Sequence, residues 1–287
     1  MIEGEMAMSY KIISLDIDGT LTNSQKVITE KTRDQLIDFQ ENGGKVILAS
    51  GRPVYGILPH AETLKLKEYG GYILAFNGGC VIDCKTGNIL FQQKFPLELL
   101  PEICEIIKEY PVGINTYEGE NIIVGNNVNK YTELEARING MGIKYIDDFT
   151  GYVKFDINKC LLQGEPEDIM KLEKILSEKY KGRLGVFKSE AFFLEIVPEG
   201  IDKALSIDRL LGMIGINTEE CIACGDGFND ISMIRYAGLG VAMSNAKEPV
   251  KQAADFVTLS NDEDGIAHLL KKIRLNQINR AVVYSHS

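Results

Sequence analysis

The sequence lacks any hydrophobic run long enough to cross a bilayer, which takes roughly 20 consecutive apolar residues in a helix. Its first five residues include two glutamates and no lysine or arginine, whereas a secretory signal peptide opens with basic residues and an apolar segment. Six cysteines among 287 residues fit a compartment in which thiols stay reduced. These features predict a cytoplasmic protein with no membrane partner.

The sequence also lacks the residue clusters that nucleic-acid and zinc sites need. It has 31 lysines and arginines against 41 aspartates and glutamates, the reverse of a nucleic-acid-binding surface. A small anionic substrate is still compatible with this balance, because a few local cations can override the overall charge. Histidine occurs only three times, and Cys221 and Cys224 have no second pair at zinc spacing, so they are predicted to be buried core thiols.

Short apolar, β-branched runs alternate with helical segments over much of the chain. Such runs are typical of buried parallel strands. The predicted strands are residues 11–15, 46–49, 72–76 and 221–224, with shorter ones near 239–241 and 255–257. Alternating strands and helices imply right-handed crossovers and predict an α/β fold with a Rossmann-like, doubly wound parallel sheet.

The middle of the chain, from 96 to about 193, has a different character. Residues 113–124 predict a hairpin that turns at 118–120, and Pro166 opens a helix. Two apolar helix faces are predicted there: Leu97, Leu100, Cys104 and Ile107 on one helix, and Ile169, Leu172, Ile175 and Leu176 on the other. Because such a segment buries its own core, we predict an inserted α+β domain at 85–193 within a core domain made of 1–84 and 194–287.

Four of the predicted strands end in polar or charged residues. Asp16 follows the first strand, Ser50 the second, Asn77 the third and Asp226 the strand at 221–224. In open parallel sheets, ligands bind beyond the carboxyl ends of the strands. The placement therefore predicts one shared site.

The segment Asp-Ile-Asp-Gly-Thr at 16–20 places two carboxylates two residues apart, directly after a buried strand. A turn at Gly19 would let both face one ligand. A calcium-binding EF-hand loop is excluded, because its sixth and twelfth positions would be Leu21 and Val27 instead of glycine and glutamate.

The segment 225–230, Gly-Asp-Gly-Phe-Asn-Asp, begins like a dinucleotide-binding fingerprint, but Asp230 stands where the third glycine should be. An acidic residue at a helix start repels a pyrophosphate and suits a hard cation. A set of ligands rich in carboxylates and poor in histidine predicts Mg²⁺.

In their order and spacing these segments resemble the motifs of the haloacid dehalogenase-like (HAD) superfamily, and the insertion resembles the type IIB cap of its Cof-type branch. The likeness extends over essentially the whole chain. It implies that Asp16 is a nucleophile that forms an aspartyl-phosphate. It implies that Asp18 is the general acid for the leaving alcohol and then the base for the attacking water. Mg²⁺ would be held by the Asp16 carboxylate, the Asp18 backbone carbonyl and Asp226, with Asp230 in support.

The resemblance also implies a set of phosphate-binding residues. Ser50, beside Gly51, matches the phosphate-binding hydroxyl of the family. Lys203 matches its phosphate-binding cation, and Asn229 the polar residue of its fourth motif. Ala204 departs from the glycine that many relatives carry after this lysine, which loosens the match at that point.

Four further polar residues have two interpretations each. Arg52 contacts the substrate or closes a loop. Asn77 contacts the substrate or serves an Asn-Gly-Gly turn. Lys154 and Lys159 in the cap meet an anionic substrate or are solvated, and solvation is the expectation.

Asp18 decides the reaction class within this resemblance. An alkoxide is a poor leaving group and needs a proton donor, whereas acyl-phosphate and ATP chemistry can proceed without one. We therefore predict a phosphatase that hydrolyses small phosphate monoesters, such as sugar phosphates, nucleotides or phosphorylated cofactors. The expected partner is a small phosphorylated metabolite, and no obligate protein partner is evident.

Two alternatives stay open. A hexose phosphomutase of the phosphomannomutase type shares this core and cap, but it needs an arginine cluster for a second phosphate, and the cap offers only Arg137 and Arg183. A catalytically silent binding protein on the same fold is disfavoured by the intact nucleophile, acid, lysine and metal residues.

Overall fold

The computed structural model describes residues 10–278, so the acidic first five residues and His286 lie outside its described part. The chain divides into two compact units. The first comprises the described residues up to Gly51, Leu58–Leu90 and the described residues from Asp202 onward. The second comprises Arg52–Ile57 and Phe91–Ile201.

The β-strands of both units are short. In chain order they are β1 (Ile12–Leu15), β2 (Lys45–Ala49), β3 (Tyr72–Ala75), β4 (Cys80–Asp83), β5 (Ile89–Gln92), β6 (Gly113–Glu118), β7 (Asn121–Gly125), β8 (Gly142–Tyr145), β9 (Cys160–Gln163), β10 (Leu184–Glu190), β11 (Phe193–Pro198), β12 (Cys221–Gly225), β13 (Leu239–Ala242) and β14 (Phe256–Val257). The strands and the hairpin that the sequence predicted are confirmed.

The helices lie between these strands. They are α1 (Glu30–Glu41), α2 (Val54–Thr63), α3 (Leu66–Tyr69), α4 (Leu100–Ile107), α5 (Lys130–Asn139), α6 (Phe149–Tyr152), α7 (Pro166–Lys179), α8 (Lys203–Ile214), α9 (Ile231–Tyr236), α10 (Glu248–Lys251) and α11 (Gly265–Arg274). Within residues 10–278, no helix has both the length and the apolar character that crossing a membrane requires.

An eight-stranded sheet forms the centre of the first unit, in the order β14-β13-β12-β1-β2-β3-β4-β5. The strands from β14 to β3 are parallel to one another, and β4 is antiparallel to β3. The apolar side chains of β1 are fully buried, as expected for a strand inside a parallel sheet. This is the predicted α/β fold. Because the strands are parallel and in register, the carboxyl ends of β1, β2, β3 and β12 share one edge.

A six-stranded mixed sheet forms the second unit, in the order β10-β11-β9-β6-β7-β8. Its pairs are antiparallel except β7 with β8. Apolar residues of α4 and α7 pack with one face of this sheet in a buried core.

The prediction that Ile175 belongs to the buried face of α7 is wrong. Ile169, Leu172 and Leu176 are buried, but the side chain of Ile175 is 38% exposed. At 100° per residue, Ile175 stands at the margin of the stripe that the other three define.

Candidate active site

Asp16 follows β1 directly and stays in line with the sheet. Its backbone N–H donates to the carbonyl of Cys224 in β12 at 3.0 Å. The chain then turns sharply, because the N–H of Leu21 donates back to the Asp16 carbonyl at 3.1 Å. As a result the Asp16 carboxylate points beyond the carboxyl edge of the sheet, in a buried position.

Gly19 makes this turn possible. Its φ of +85° lies in the left-handed region that favours glycine. An added Cβ would also overlap the carboxylate of Asp226. The hydroxyl of Thr20 donates to Asp226 Oδ1 at 2.7 Å. The turn after β1 thus fixes the position of the acid that follows β12.

Lys203, the first residue of α8, brings a cation to Asp16. Its side chain is fully buried, and its Nζ donates to Asp16 Oδ1 at 2.8 Å, to Asp230 Oδ1 at 2.6 Å and to the carbonyl of Ala49 at 2.8 Å. Burial alone would lower the pKa of this ammonium, but the charges of Asp16 and Asp230 outweigh burial and raise the pKa above its ordinary value. Lys203 is therefore a permanent positive charge.

The two carboxylate oxygens of Asp230 accept different hydrogen bonds. Oδ1 accepts the Lys203 bond, and Oδ2 accepts from the backbone N–H groups of Asp226 at 3.0 Å and Gly227 at 2.8 Å. This bonding holds the loop after β12 in shape. Asp230 is thus placed to support neighbouring groups, as the resemblance implied.

Three carboxylates lie close together at this edge. Ligand oxygens of Asp16, Asp226 and Asp230 all lie within 4.8 Å of one another. Burial, with added repulsion from Asp230, raises the pKa of Asp16 to about 8 in spite of Lys203. Burial also raises the pKa of Asp226 to about 6. The cluster therefore has an excess of negative charge that a cation would relieve.

The donor set fits Mg²⁺. Hard divalent cations prefer carboxylate and carbonyl oxygens, and no histidine or cysteine belongs to this group of acids. Burial, followed by repulsion between these acids, raises the pKa values of Asp16 and Asp226, and a bound cation would stabilise their charged forms. Asp16, Asp226 and Asp230 thus suit a metal site, and the Asp18 backbone carbonyl as a further ligand stays a prediction.

Ser50, Gly51, Asn77 and Asn229 also meet at this edge. The N–H of Asn77 donates to the Ser50 carbonyl at 2.9 Å, and Gly51 lies against the Asn77 side chain. Asn229 Nδ2 donates to Asn77 Oδ1 at 3.0 Å. The four residues therefore come from three segments that the sheet brings to one edge, next to Lys203, whose Nζ bonds the carbonyl of the residue before Ser50.

A family model described as haloacid dehalogenase-like hydrolase matches residues 13–270. The chain belongs to this family. A haloacid dehalogenase-like hydrolase from Bacteroides thetaiotaomicron, known from its crystal structure, is 46% identical, with a TM-score of 0.89 over 92% of this chain and 99% of that one. The HAD subclass IIB sugar phosphatase BT4131 is 26% identical, with a TM-score of 0.78 over 92% and 99%.

A curated relative from Bacillus subtilis, 5-amino-6-(5-phospho-D-ribitylamino)uracil phosphatase YitU, is 27% identical over 91% of this chain and 96% of its own length. The similarities extend over both units. The parallel sheet of the first unit and the mixed sheet of the second are consistent with the HAD core and a type IIB cap. The resemblance drawn from the motifs is confirmed.

The contacts of Arg52 are those expected of a residue that closes a loop. Its guanidinium Nη1 donates to the carbonyls of Gly56 at 3.3 Å and Ile138 at 3.1 Å. These residues belong to the second unit, as Arg52 itself does. A contact between Arg52 and substrate stays a prediction.

Sequence reasoning missed Lys26. Its Nζ lies 2.8 Å from Asp18 Oδ1, and both side chains are partly open to solvent. No known motif spacing links the two positions, so the sequence carried no signal for the pair. Only the path of the loop between them brings them together.

The expectation that Lys159 is solvated is wrong, whereas Lys154 is exposed as expected. The Lys159 side chain is 4% exposed and pairs with Glu195 at 2.8 Å, and its ammonium lies 5.4 Å from the centre of the Tyr117 ring. Lysine is buried only when its charge has a partner, and Glu195 on β11 supplies it. Lys159 is therefore part of the interior of the second unit.

Cys221 and Cys224 are buried in β12 and free, as predicted. Burial raises the pKa of the Cys221 thiol to about 12. Thiols of this kind are poor metal ligands and poor nucleophiles. They form part of the core beneath the acidic cluster.

Proposed function

We propose that this chain is a Mg²⁺-dependent phosphatase that hydrolyses small phosphate monoesters through a phosphoryl group carried on Asp16. The observation that carries the proposal is the setting of Asp16. Its carboxylate is buried, bonded to the Lys203 ammonium at 2.8 Å and close to two further acids. Family membership and the activities for which the relatives are named support the same reaction class.

Charge explains why this setting suits the reaction. A carboxylate that attacks a phosphate dianion meets a repulsion of about 4 kcal/mol for each close pair of charges at an effective dielectric near 20. Lys203 offsets this repulsion from a fixed position, without the cost of reorienting solvent. Asp16, Asp226 and the Asp18 backbone carbonyl would hold Mg²⁺, with Asp230 in support. When bound, this ion adds positive charge beside the transferring phosphoryl group.

In the first half-reaction, a carboxylate oxygen of Asp16 attacks phosphorus. The new bond joins Asp16 to phosphorus, and the bond between phosphorus and the ester oxygen breaks. Asp18 gives its proton to the departing oxygen, so that the alcohol leaves neutral. The products of this half-reaction are the alcohol and an aspartyl-phosphate.

In the second half-reaction, water attacks the phosphorus of the aspartyl-phosphate. Asp18, now a carboxylate, takes a proton from this water. The bond between Asp16 and phosphorus breaks, which restores the Asp16 carboxylate and releases inorganic phosphate. We assign the phosphate-binding contacts to Ser50, Gly51, Lys203 and Asn229.

Small phosphorylated metabolites are the proposed substrates. One relative is named as a sugar phosphatase and another as a phosphatase of a phosphorylated ribitylaminouracil. Sugar phosphates, nucleotides and phosphorylated cofactors are therefore the classes to test first. We propose that the segment 85–193 acts as the cap that selects among them, with Arg52 and Asn77 as candidate substrate contacts.

A panel of phosphorylated metabolites, assayed for phosphate release with Mg²⁺, tests this function. We expect turnover of at least one alkyl phosphate by the wild type and none by Asp16→Asn. Asp34→Asn, which makes the same change at an exposed position, is the matched control and should retain activity. Transfer of phosphate within a hexose bisphosphate, without release, would instead identify a mutase, and equal turnover by Asp16→Asn would refute the proposal.

A further inference from the structure

The loop after the Asp16 turn delivers a second cation to the acidic site. The Lys26 ammonium lies 2.8 Å from Asp18 Oδ1. Asp18 is the acid that the proposed reaction uses twice, and Lys26 has no role in that mechanism.

The backbone of Lys26 has a defined conformation. Its φ is +62°, in the left-handed region that non-glycine residues seldom occupy. The N–H of Lys26 donates to the Asn23 carbonyl at 2.9 Å, and the N–H of Asn23 donates to the Val27 carbonyl at 3.0 Å. Asn23 Oδ1 also accepts from the N–H groups of Gln25 and Val27. These bonds close a tight turn and hold the backbone of Lys26 in its left-handed conformation.

The same loop is fastened to distant parts of the first unit. Asp262 accepts from the N–H of Ser24 at 2.8 Å and from its hydroxyl at 2.6 Å. Asn261 Nδ2 donates to the Thr22 carbonyl at 2.9 Å, and Asn245 Nδ2 donates to the Gly19 carbonyl at 2.9 Å. The loop that carries Lys26 is therefore held on several sides, and the contact with Asp18 is the ion pair of its ammonium.

We propose that Lys26 is a positioning residue that orients the Asp18 carboxylate for proton transfer. By holding Oδ1, Lys26 fixes the rotation of the carboxylate and directs the other oxygen, Oδ2, to exchange the proton with the ester oxygen and later with water. A proton donor must be held within hydrogen-bond reach of the atom it serves, and a group that orients it is a common part of such sites. This inference rests on the proposed function.

Ion pairs as exposed as this one contribute little to stability, so a merely structural Lys26 would leave catalysis almost unchanged. A positioning Lys26 would leave a specific signature. Its loss would slow substrates that need a protonated leaving group, and it would spare acetyl phosphate, whose leaving group needs no proton. Because kcat/KM reports steps up to phosphoryl transfer, it isolates the first half-reaction from the second.

The test compares kcat/KM of Lys26→Met on the best alkyl phosphate of the panel and on acetyl phosphate. We expect a loss of roughly tenfold on the alkyl phosphate and less than about twofold on acetyl phosphate. Lys26→Arg should restore part of the loss. Lys31→Met removes the same charge from an exposed site that pairs with Asp264 and should change neither value. In an Asp18→Asn background, Lys26→Met should have no further effect.

Equal losses on both substrates, no loss on either, or a faster alkyl phosphate reaction would each overturn the assignment of Lys26. So would an undiminished effect of Lys26→Met in the Asp18→Asn background. These results leave the proposed function standing as long as phosphate release still depends on Asp16. If no release depends on Asp16, the proposed function fails, and this inference fails with it.

Discussion

At the scale of single residues, Lys203 partly offsets the burial that opposes the negative charge of Asp16, whose pKa nevertheless stays raised to about 8. Its three N–H groups donate to Asp16, Asp230 and the Ala49 carbonyl, and the proposed contact with phosphate exchanges one of these bonds. Breaking a buried pair from one side leaves uncompensated charge, which is far costlier than losing a surface pair. Both stability and chemistry therefore depend on this side chain.

Replacing Lys203 with methionine should lower the free energy of unfolding by about 3–5 kcal/mol, measured by urea denaturation without metal. Phosphate release should also fall to background, because Asp16 and Asp230 then repel each other and the incoming phosphate. Lys45→Met is the matched control, since Lys45 donates to a single backbone carbonyl, that of Gly70. A Lys203→Met protein that is as active as this control would contradict the role of Lys203.

Replacing Asp18 with asparagine should separate substrates by their leaving groups. We expect kcat/KM for alkyl phosphates to fall by about 100-fold or more, since general acid catalysis contributes at least that much. For acetyl phosphate kcat/KM should change little, although kcat should fall because water then lacks its base. Steady-state kinetics on both substrates measure this difference, and equal losses in kcat/KM would refute Asp18 as the acid.

The sequence could predict which acids lie at this site. Ion pairs between residues with no informative spacing become evident only in the fold. Asp16, Asp226 and Lys203 stand in motifs whose spacing is informative, and the fold brings them together. Lys26 reaches Asp18 through a left-handed backbone conformation, and Lys159 is buried because Glu195 comes from a strand far along the chain. Neither contact follows from local spacing or composition.

At the scale of secondary structure, the turn after β1 links two strands of the sheet. Gly19 leaves room for Asp226, and Thr20 bonds it, so the end of β12 is shaped by the end of β1. The turn thus packs against Asp226 and helps to set the shape of the acidic cluster. A glycine-to-alanine substitution in the turn tests this packing.

Gly19→Ala forces an alanine into a left-handed backbone conformation and places its Cβ against Asp226. Gly43→Ala imposes the same backbone conformation without a clash. Gly43 has a φ of +89°, with open space where an added Cβ would lie. Gly43→Ala should cost about 1–2 kcal/mol of unfolding free energy. Gly19→Ala should cost more and should also weaken Mg²⁺ binding, measured by calorimetry. Equal stability losses with unchanged Mg²⁺ affinity would contradict the proposed packing of Gly19 against Asp226.

Strands were easier to predict than the grouping of the segments between them. The buried runs identify β1, β2, β3 and β12 because a strand covered on both faces must be apolar throughout. The segment Arg52–Ile57 groups with the second unit, although it follows β2 directly. Its affiliation depends on contacts such as that of Arg52 with Ile138, which a sequence does not display.

At the scale of the whole molecule, an acidic chain concentrates part of its negative charge in one buried cluster. Burial raises the pKa of Asp16 to about 8 and that of Asp226 to about 6, against an ordinary value of 3.8. In that range the folded, metal-free protein holds protons that the unfolded chain has already released. Its stability should therefore fall as the pH rises from about 4 to about 8.

Mg²⁺ should reverse much of this loss, because a cation replaces the protons that the cluster would otherwise keep. We expect the increase in Tm on adding Mg²⁺ to grow as the pH is raised from about 6 to about 8. Scanning calorimetry at several pH values, with and without Mg²⁺, measures the trend. Asp226→Asn should reduce it, and an increase in Tm that shrinks with rising pH would contradict the proposed metal site.

Trapping the phosphoryl group tests most directly whether Asp16 carries it. Asp18→Asn, supplied with acetyl phosphate and Mg²⁺, should accumulate the aspartyl-phosphate, because its formation needs no acid and its hydrolysis lacks the base. After acid quenching and digestion, mass spectrometry should find one phosphoryl group on the peptide that contains Asp16, and none when Asp16 is asparagine. A phosphoryl group on another residue, or one that persists in the Asp16→Asn protein, would contradict the account.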